Sequence, residues 1–386
     1  MKTKQMKFLF MFYFIYYISS GVYYPFVNVH YERLGFTGSE IGLIGSVGLL
    51  AAMIITPMWG MLADRTRRYK SLLGLVMILA CISGFIWDMQ LVFLNVLLAA
   101  TCLTVFRSGI NPLADSLSVS YCSQKQYDFG KIRGIGSLGY VVGSFVIANV
   151  AGWFGIEGPY ISVMCVTLLI AAAILLFYPH IPMNESREKS SILKNGKILL
   201  KNKSYVFIVV LMLFTNLAMD SAGGYVGNHL VNALGANDGA IGTYTLIAAF
   251  PEVFFIMIIG NIISRYGFKP MYVVAIACQC IRLIGYAFVD SIPLFYMFTI
   301  VHMLMTGVGA VANMNYINKV VDTSMLTTAV SLYTGIYLVG QALYTQLFGV
   351  VYQLYGSHMI FLVTALMSFI GLVMVVRTKH FNFAKE

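Results

Sequence analysis

Charge is scarce in this chain. Only 10% of its 386 residues are Asp, Glu, Lys or Arg, while 59% are hydrophobic; an ordinary soluble domain carries about 25% charged residues. That excludes a conventional soluble globule. Cysteine is scarce too: Cys81, Cys102, Cys122, Cys165, Cys278 and Cys280 are scattered through apolar runs. Their spacing fits neither a disulfide framework nor a metal site. Cys278 and Cys280 would lie about 200° apart on a helix, so they read as small core residues. No nucleotide-binding loop and no catalytic triad is present, so neither ATP-driven transport by this chain alone nor enzymatic chemistry is expected, and no cofactor is implied. The first apolar run, 8–29, is long and filled with bulky aromatics. A secretory signal has a shorter core and a small-residue cleavage site, so the run is expected to be retained as a first helix.

What the chain has in abundance is long continuous apolar runs. A helix needs roughly 20 apolar residues to cross a bilayer, and only helices or closed barrels satisfy their backbone in lipid. Barrel strands would be short and alternating, so the expectation is an all-α membrane protein with twelve transmembrane helices. Their spans are 8–29, 41–63, 71–87, 90–122, 133–153, 159–178, 205–230, 240–263, 270–290, 292–318, 327–352 and 358–377. Twenty-one of the 25 Lys and Arg residues fall at the termini or in the loops on the same side as the termini; the opposite loops hold only Arg33. Basic loops stay cytoplasmic. The protein is therefore expected in the plasma or inner membrane, multi-pass, with both termini cytoplasmic. The net charge of +10 meets anionic lipid of the inner leaflet, so no nucleic-acid partner is needed. A monomer is expected.

One sizeable hydrophilic loop lies between the sixth and seventh spans. It divides the chain into an N-terminal six-helix bundle (1–178), a cytoplasmic linker (179–204) and a C-terminal six-helix bundle (205–386). The halves repeat at an offset of 200 residues: Leu34-Gly35 through Ile41-Gly42 matches Leu234-Gly235 through Ile241-Gly242, and Gly60 with Arg65 matches Gly260 with Arg265. Parallel six-helix repeats occur in secondary transporters, with the substrate site near midplane at the repeat interface. The loop Gly60-Met61-Leu62-Ala63-Asp64-Arg65-Thr66-Arg67-Arg68 is similar to the G-x-x-x-D-(R/K)-x-G-(R/K) signature of the major facilitator superfamily, although Arg67 stands where the signature has its second glycine. Gly60 would permit close helix approach. Asp64 can pair with arginines or a helix N-terminus. Gly60, Asp64, Arg65 and Arg68 therefore form a candidate conformational latch; the alternative is a solvated loop that only sets topology. In the second copy Ser264 replaces the acid, so any latch there should be weaker.

The stretch Ile110–Gly143 joins two apolar segments through a short polar turn and carries Asp115 on one side and Arg133 on the other. A charge at bilayer depth costs on the order of 3 kcal/mol or more, so it faces a partner or a watery cavity. Asp115 and Arg133 are natural mutual partners, or both snorkel to the headgroups. Asp115, then Phe129-Gly130-Lys131-Ile132-Arg133, Gly136 and Gly139-Tyr140 resembles the helix 4 to helix 5 stretch of the lactose permease branch of the superfamily, and equally its phenylpropionate permease relatives. The resemblance implies that Asp115 and Arg133 line a substrate site and that Tyr140 stacks on a sugar ring. Arg107 sits eight positions before Asp115, roughly on the same helix face, where those relatives have an apolar residue. It would bind an anionic group of the substrate or neutralise Asp115. Asn111-Pro112 is expected to kink helix 4.

In the second half Glu252, Arg282 and His302 lie in the middle of apolar spans, where snorkelling is no explanation. They are candidates for proton exchange and substrate binding; the alternative is a static Glu252–Arg282 pair. All three resemble functional positions of the lactose permease branch, and Asp220 resembles a partner aspartate on helix 7. The departures are specific. Met305 stands where the sugar permease has its proton-carrying glutamate, Gly340 and Thr299 stand near two family lysines, and Phe255 replaces a sugar-binding asparagine.

The expectation is a major facilitator fold of two pseudo-symmetric bundles. The function expected is proton-coupled uptake of a small organic solute by alternating access in a bacterial-type cell, driven by the proton gradient. Asp115, Arg133, Tyr140, Glu252, His302 and Arg107 would bind substrate, and Glu252, Arg282, His302 and Asp220 would couple the proton. A sugar or oligosaccharide is the first expectation for the solute. An aromatic acid or a nucleoside is the alternative, and an uncoupled facilitator, an exporter or a non-transporting sensor are further ones.

Overall fold

A computed structural model describes residues 2–125, 127, 129–154, 160–178, 192–322, 325–379 and 381. Half of the expected linker, 179–191, lies outside the described residues. Each expected span coincides with a helix or a run of consecutive helical segments, and among the described residues there is no strand. We number these spans α1 Lys2–Tyr23, α2 Gly38–Thr66, α3 Tyr69–Asp88, α4 Phe93–Lys125, α5 Phe129–Phe154 and α6 Tyr160–Ile174, which ends in the 3-10 turn Leu175–Phe177. Next, α7 runs Lys203–Met212, Leu213–Leu217 and Ala218–Gly223. It is followed by α8 Gly239–Tyr266 and α9 Phe268–Phe288. The tenth, α10, is assembled from Ile292–Thr299, His302–Gly307, Val308–Ala312 and Asn313–Val320. Leu326–Arg377 is one helical run broken at Gly356, whose φ is 76°; we call its parts α11 and α12. Among the described residues, nine helices are long and apolar enough to cross a membrane by length and composition.

The chain forms two compact units, one of 1–186 with 230–246 and the other of 187–229 with 247–386. The segment 230–246 belongs to the second repeat by sequence yet packs in the first unit. There Asn232 Nδ2 donates to Glu32 Oε2 at 2.6 Å, a contact between positions 200 apart. Arg33 grips Asp238 with both terminal nitrogens, at 2.6 and 3.1 Å. Thr37 caps α2, in a capping box with Glu40.

The repeat is visible in the backbone. Gly35 and Gly235 both have positive φ, 86° and 64°, and so do Arg67 and Gly267, at 57° and 86°. Arg67 thus keeps the left-handed turn of the superfamily signature without its glycine, at a cost of roughly 1–2 kcal/mol. Lys70 donates to the carbonyls of Leu176 and Tyr178 at the end of α6, and Lys269 donates to the Thr378 carbonyl at the end of α12. Both cations sit where the helix leaves carbonyls unpaired.

In the first unit α1 crosses α5 at very short range. A Cβ on Gly139 would lie 2.2 Å from the Phe14 carbonyl oxygen, and one on Gly143 would lie 2.3 Å from that of Ile18. Small residues at such a seam let backbones touch. The second unit is built on an apolar cluster that includes Tyr205, Met212, Ile259, Ile276, Met305, Val308 and Tyr316. Gly60 was expected to serve close packing. A Cβ there, or at Gly260, would meet nothing within 4 Å, so neither glycine is required by contact in this conformation. Pro112 lies inside helix α4.

Candidate functional site

Two polar clusters interrupt the apolar interior, one in each unit. In the first, α1 and α4 run antiparallel as a ladder with rungs every three or four residues. Tyr13 donates to Asp115 Oδ1 at 2.6 Å, and Tyr17 donates to Asn111 Oδ1 at 3.1 Å. Arg107 donates through Nη1 to Ser19 at 3.2 Å and through Nη2 to Ser20 at 3.1 Å. Four-residue spacing puts Arg107, Asn111 and Asp115 on one helix face, which is why the rungs align. The Tyr13 oxygen also lies 3.2 Å from the Ser118 hydroxyl, which meets the Tyr178 hydroxyl at 2.5 Å.

Arg133, from α5, lies over the Tyr17 ring with its guanidinium carbon 4.5 Å from the centroid. Arg107 lies over the rings of Tyr23 and Tyr24 at 4.9 and 5.5 Å. The expected Asp115–Arg133 ion pair is not formed, nor does Arg107 neutralise Asp115: among the described residues the only ion pair is Arg33–Asp238. The physical reason is that α1 places hydroxyls and rings nearer each charge than the charges are to one another. Tyr140 meets α1 through its backbone, since a Cβ on Gly21 would lie 2.0 Å from its carbonyl oxygen.

The second cluster surrounds a cavity of about 280 Å³ lined by Asn216, Asp220, Thr306, Asn313, Tyr333 and Tyr337, with Met219 and Gly309. Two walls are π-helical, Leu213–Leu217 in α7 and Val308–Ala312 in α10. Such bulges loosen the backbone ladder and recur at functional sites. They bring Asn216 against Gly309, where a Cβ would lie 2.2 Å from the amide nitrogen. Asn313 is the hub. Its oxygen accepts from Tyr272 at 2.5 Å, and its nitrogen donates to Tyr333 at 2.8 Å and to Asn216 at 3.3 Å.

Asp220 opens to the cavity and accepts from Tyr337 at 2.5 Å. Glu252 lies beside Thr306 and near Asp220. Arg282, 3% exposed, does not form the static pair with Glu252. It contacts His302 Nδ1 and lies over the Tyr286 ring. Met305 is 1% exposed in the apolar cluster, so no titratable group occupies that position. A Cβ on Gly340 would lie 2.5 Å from the end of the Leu217 side chain, so a larger residue there would have to displace that side chain. Thr299 is bonded to Tyr286 at 2.7 Å.

Sequence reasoning found the charges and missed the neutral members: Asn111, Asn216, Thr306, Asn313, Tyr333 and Tyr337. An asparagine in an apolar span is a signal of the same kind, because its amide also needs a partner in lipid. At the latch, Asp64 accepts from Tyr69, while Arg65 and Arg68 are exposed.

Comparison with known proteins matches residues 6–363 to the MFS_1 like family. Over 330 residues the chain is 25% identical to a maltose permease of Geobacillus stearothermophilus, covering 84% of this chain and 82% of that one. Over 371 residues it is 24% identical to a probable 3-phenylpropionic acid transporter of Escherichia coli (strain K12), covering 92% and 93%. Its fold superimposes on the crystal structure of the nucleoside transporter NupG with a TM-score of 0.84 at 18% identity, covering 96% of this chain and 99% of that one. The chain belongs to the MFS_1 like family, and so to the major facilitator superfamily of membrane transporters.

Proposed function

We propose that the protein takes up a small organic solute together with protons, by alternating access, through a bacterial-type cell membrane with both of its termini cytoplasmic. The observation that carries the coupling is the cavity of the second unit. It holds Asp220, with Glu252 beside Thr306 nearby, and neither carboxyl is in an ion pair. A carboxyl group without a fixed counter-ion at membrane depth is a group that can load and release a proton, and intramembrane acids of this kind mark proton relays. The guanidinium of Arg282 contacts His302 and is in no contact ion pair with either acid; it acts on Asp220 only at longer range. Glu252 is the proton carrier, with Asp220 as its partner.

The residues assigned to solute binding are Asp115, Arg133, Tyr140 and Arg107 in the first unit and His302 and Glu252 in the second. The relatives are named for maltose and for 3-phenylpropionic acid, and both kinds of solute suit polar rungs beside aromatic rings. The Gly60–Arg68 loop acts as the latch of one conformation, with Asp64, Arg65 and Arg68 as its exchangeable contacts. The test is solute-dependent alkalinisation outside cells that express the protein, with Arg133→Ala as control. Alkalinisation lost in the control supports symport and the site; uptake without proton movement means a facilitator.

A further inference from the structure

Arg107 is a buried charge without a counter-charge. It is 4% exposed, and its partners are the neutral hydroxyls of Ser19, Ser20 and Tyr24 and the rings of Tyr23 and Tyr24. Its Nε–H has no hydrogen-bond partner. An arginine offers five donors in a planar fork. The bonds to Ser19, Ser20 and Tyr24 use three of them. Burying a cation with neither an anion nor full hydrogen bonding is costly, and side chains in cores avoid it unless something else supplies the opposite charge.

The neighbourhood does not supply it. Asp115 is two rungs away along α4 and occupied by Tyr13, and Arg133, on the Tyr17 ring, adds a second cation. This face of the first unit thus carries two guanidinium groups and one carboxylate, an excess of one positive charge. The cover over Arg107 is uneven. Ser19, Ser20 and Tyr23 are buried, at 6% exposure or less, while Tyr24, which also hydrogen-bonds the guanidinium, is 53% exposed. Tyr24 is thus the solvent-facing side of that cover.

We propose that Arg107 is the anion-recognition residue of this site and that the transported solute is a monocarboxylate. Its carboxylate takes the free Nε edge of the guanidinium, the geometry in which arginine binds carboxylates bidentately. Its organic body lies along the tyrosine face of α1. This rests on the reading of the chain as a solute transporter and is independent of proton coupling.

The test is thermal unfolding of the purified full-length protein in detergent, with a panel of aromatic and aliphatic monocarboxylates, each paired with its uncharged amide, and with uncharged mono- and disaccharides. At least one carboxylate raises Tm while its amide and the sugars do not. Arg107→Gln removes that difference. Arg107→Lys keeps it, with the carboxylate binding weakened by roughly 10- to 100-fold because the planar fork is lost. Equal stabilisation by acid and amide, stabilisation by sugars alone, or no effect of any carboxylate overturns the proposal, and the wild-type comparison decides this even if a variant fails to fold. The assay reads no proton movement, so a failure of coupling leaves this inference standing, and a lost preference for carboxylates leaves coupling standing.

Discussion

The glycine seam between α1 and α5 makes a quantitative demand. Replacing Gly143 by alanine puts a methyl group 2.3 Å from the Ile18 carbonyl oxygen and 2.8 Å from its Cα. Real Cβ atoms essentially never approach closer than 3.0 Å, and both obstacles are backbone, so no rotamer change relieves the clash. The helices must separate by several tenths of an ångström or more along a seam where Gly21 and Gly139 are as tight against backbone. Overpacking of this kind costs about 1–3 kcal/mol. Gly134, on the same helix, supplies the control. A Cβ there meets nothing within 4 Å, so Gly134→Ala gains up to about 1 kcal/mol of helix propensity. Thermal unfolding of the purified protein is the assay. Gly143→Ala should lower Tm while Gly134→Ala leaves it unchanged or raises it. Because Arg133 rests on the Tyr17 ring, and Tyr17 packs on Gly136, the seam variant should also weaken solute binding. Equal Tm values for the two variants would refute the packing argument.

Other outcomes follow from the same geometry. Gly267→Val should destabilise by about 1–2 kcal/mol, because the position has φ of 86° and a left-handed β-branched residue is strained. Arg67→Gly should be neutral or stabilising, and both are read by thermal unfolding. Arg33→Ala and Asp238→Ala should not be additive: a double-mutant cycle on stability should return a coupling of up to about 1 kcal/mol, since the pair is partly exposed and screened by solvent. Zero coupling would mean that the grip is incidental. Asn313→Ala strands the hydroxyls of Tyr272 and Tyr333, at about 1–3 kcal/mol.

Much of the architecture was legible because lipid imposes one rule on every span: continuous apolarity over a fixed length. The offset of 200 was legible as well, since turns at Gly35, Gly235 and Gly267 need positive φ and so leave a residue signature. Arg67 shows the limit of that reasoning, as the turn survives without the glycine. The charges of the site were visible individually, but their pairing was not. Opposite charges suggested Asp115 with Arg133 and Glu252 with Arg282. The structure instead gives Asp115 to Tyr13 and Arg282 to His302, because which helix lies alongside which decides the partner, and sequence spacing within one helix carries no such information. The π segments left no trace either. Asn216 marks Leu213–Leu217 as polar and Val308–Ala312 is apolar throughout. Neither sequence signals a π turn, yet both help shape the cavity that holds Asp220.

The central claim is that Glu252 carries a proton with the solute. The direct measurement is external pH in a lightly buffered suspension of cells expressing the wild type or Glu252→Gln, upon addition of the solute that best stabilises the purified protein. The account predicts alkalinisation by the wild type and none by Glu252→Gln, at solute concentrations raised to offset any binding the variant loses. Unchanged alkalinisation in Glu252→Gln, or wild-type uptake with no pH change at all, would contradict it.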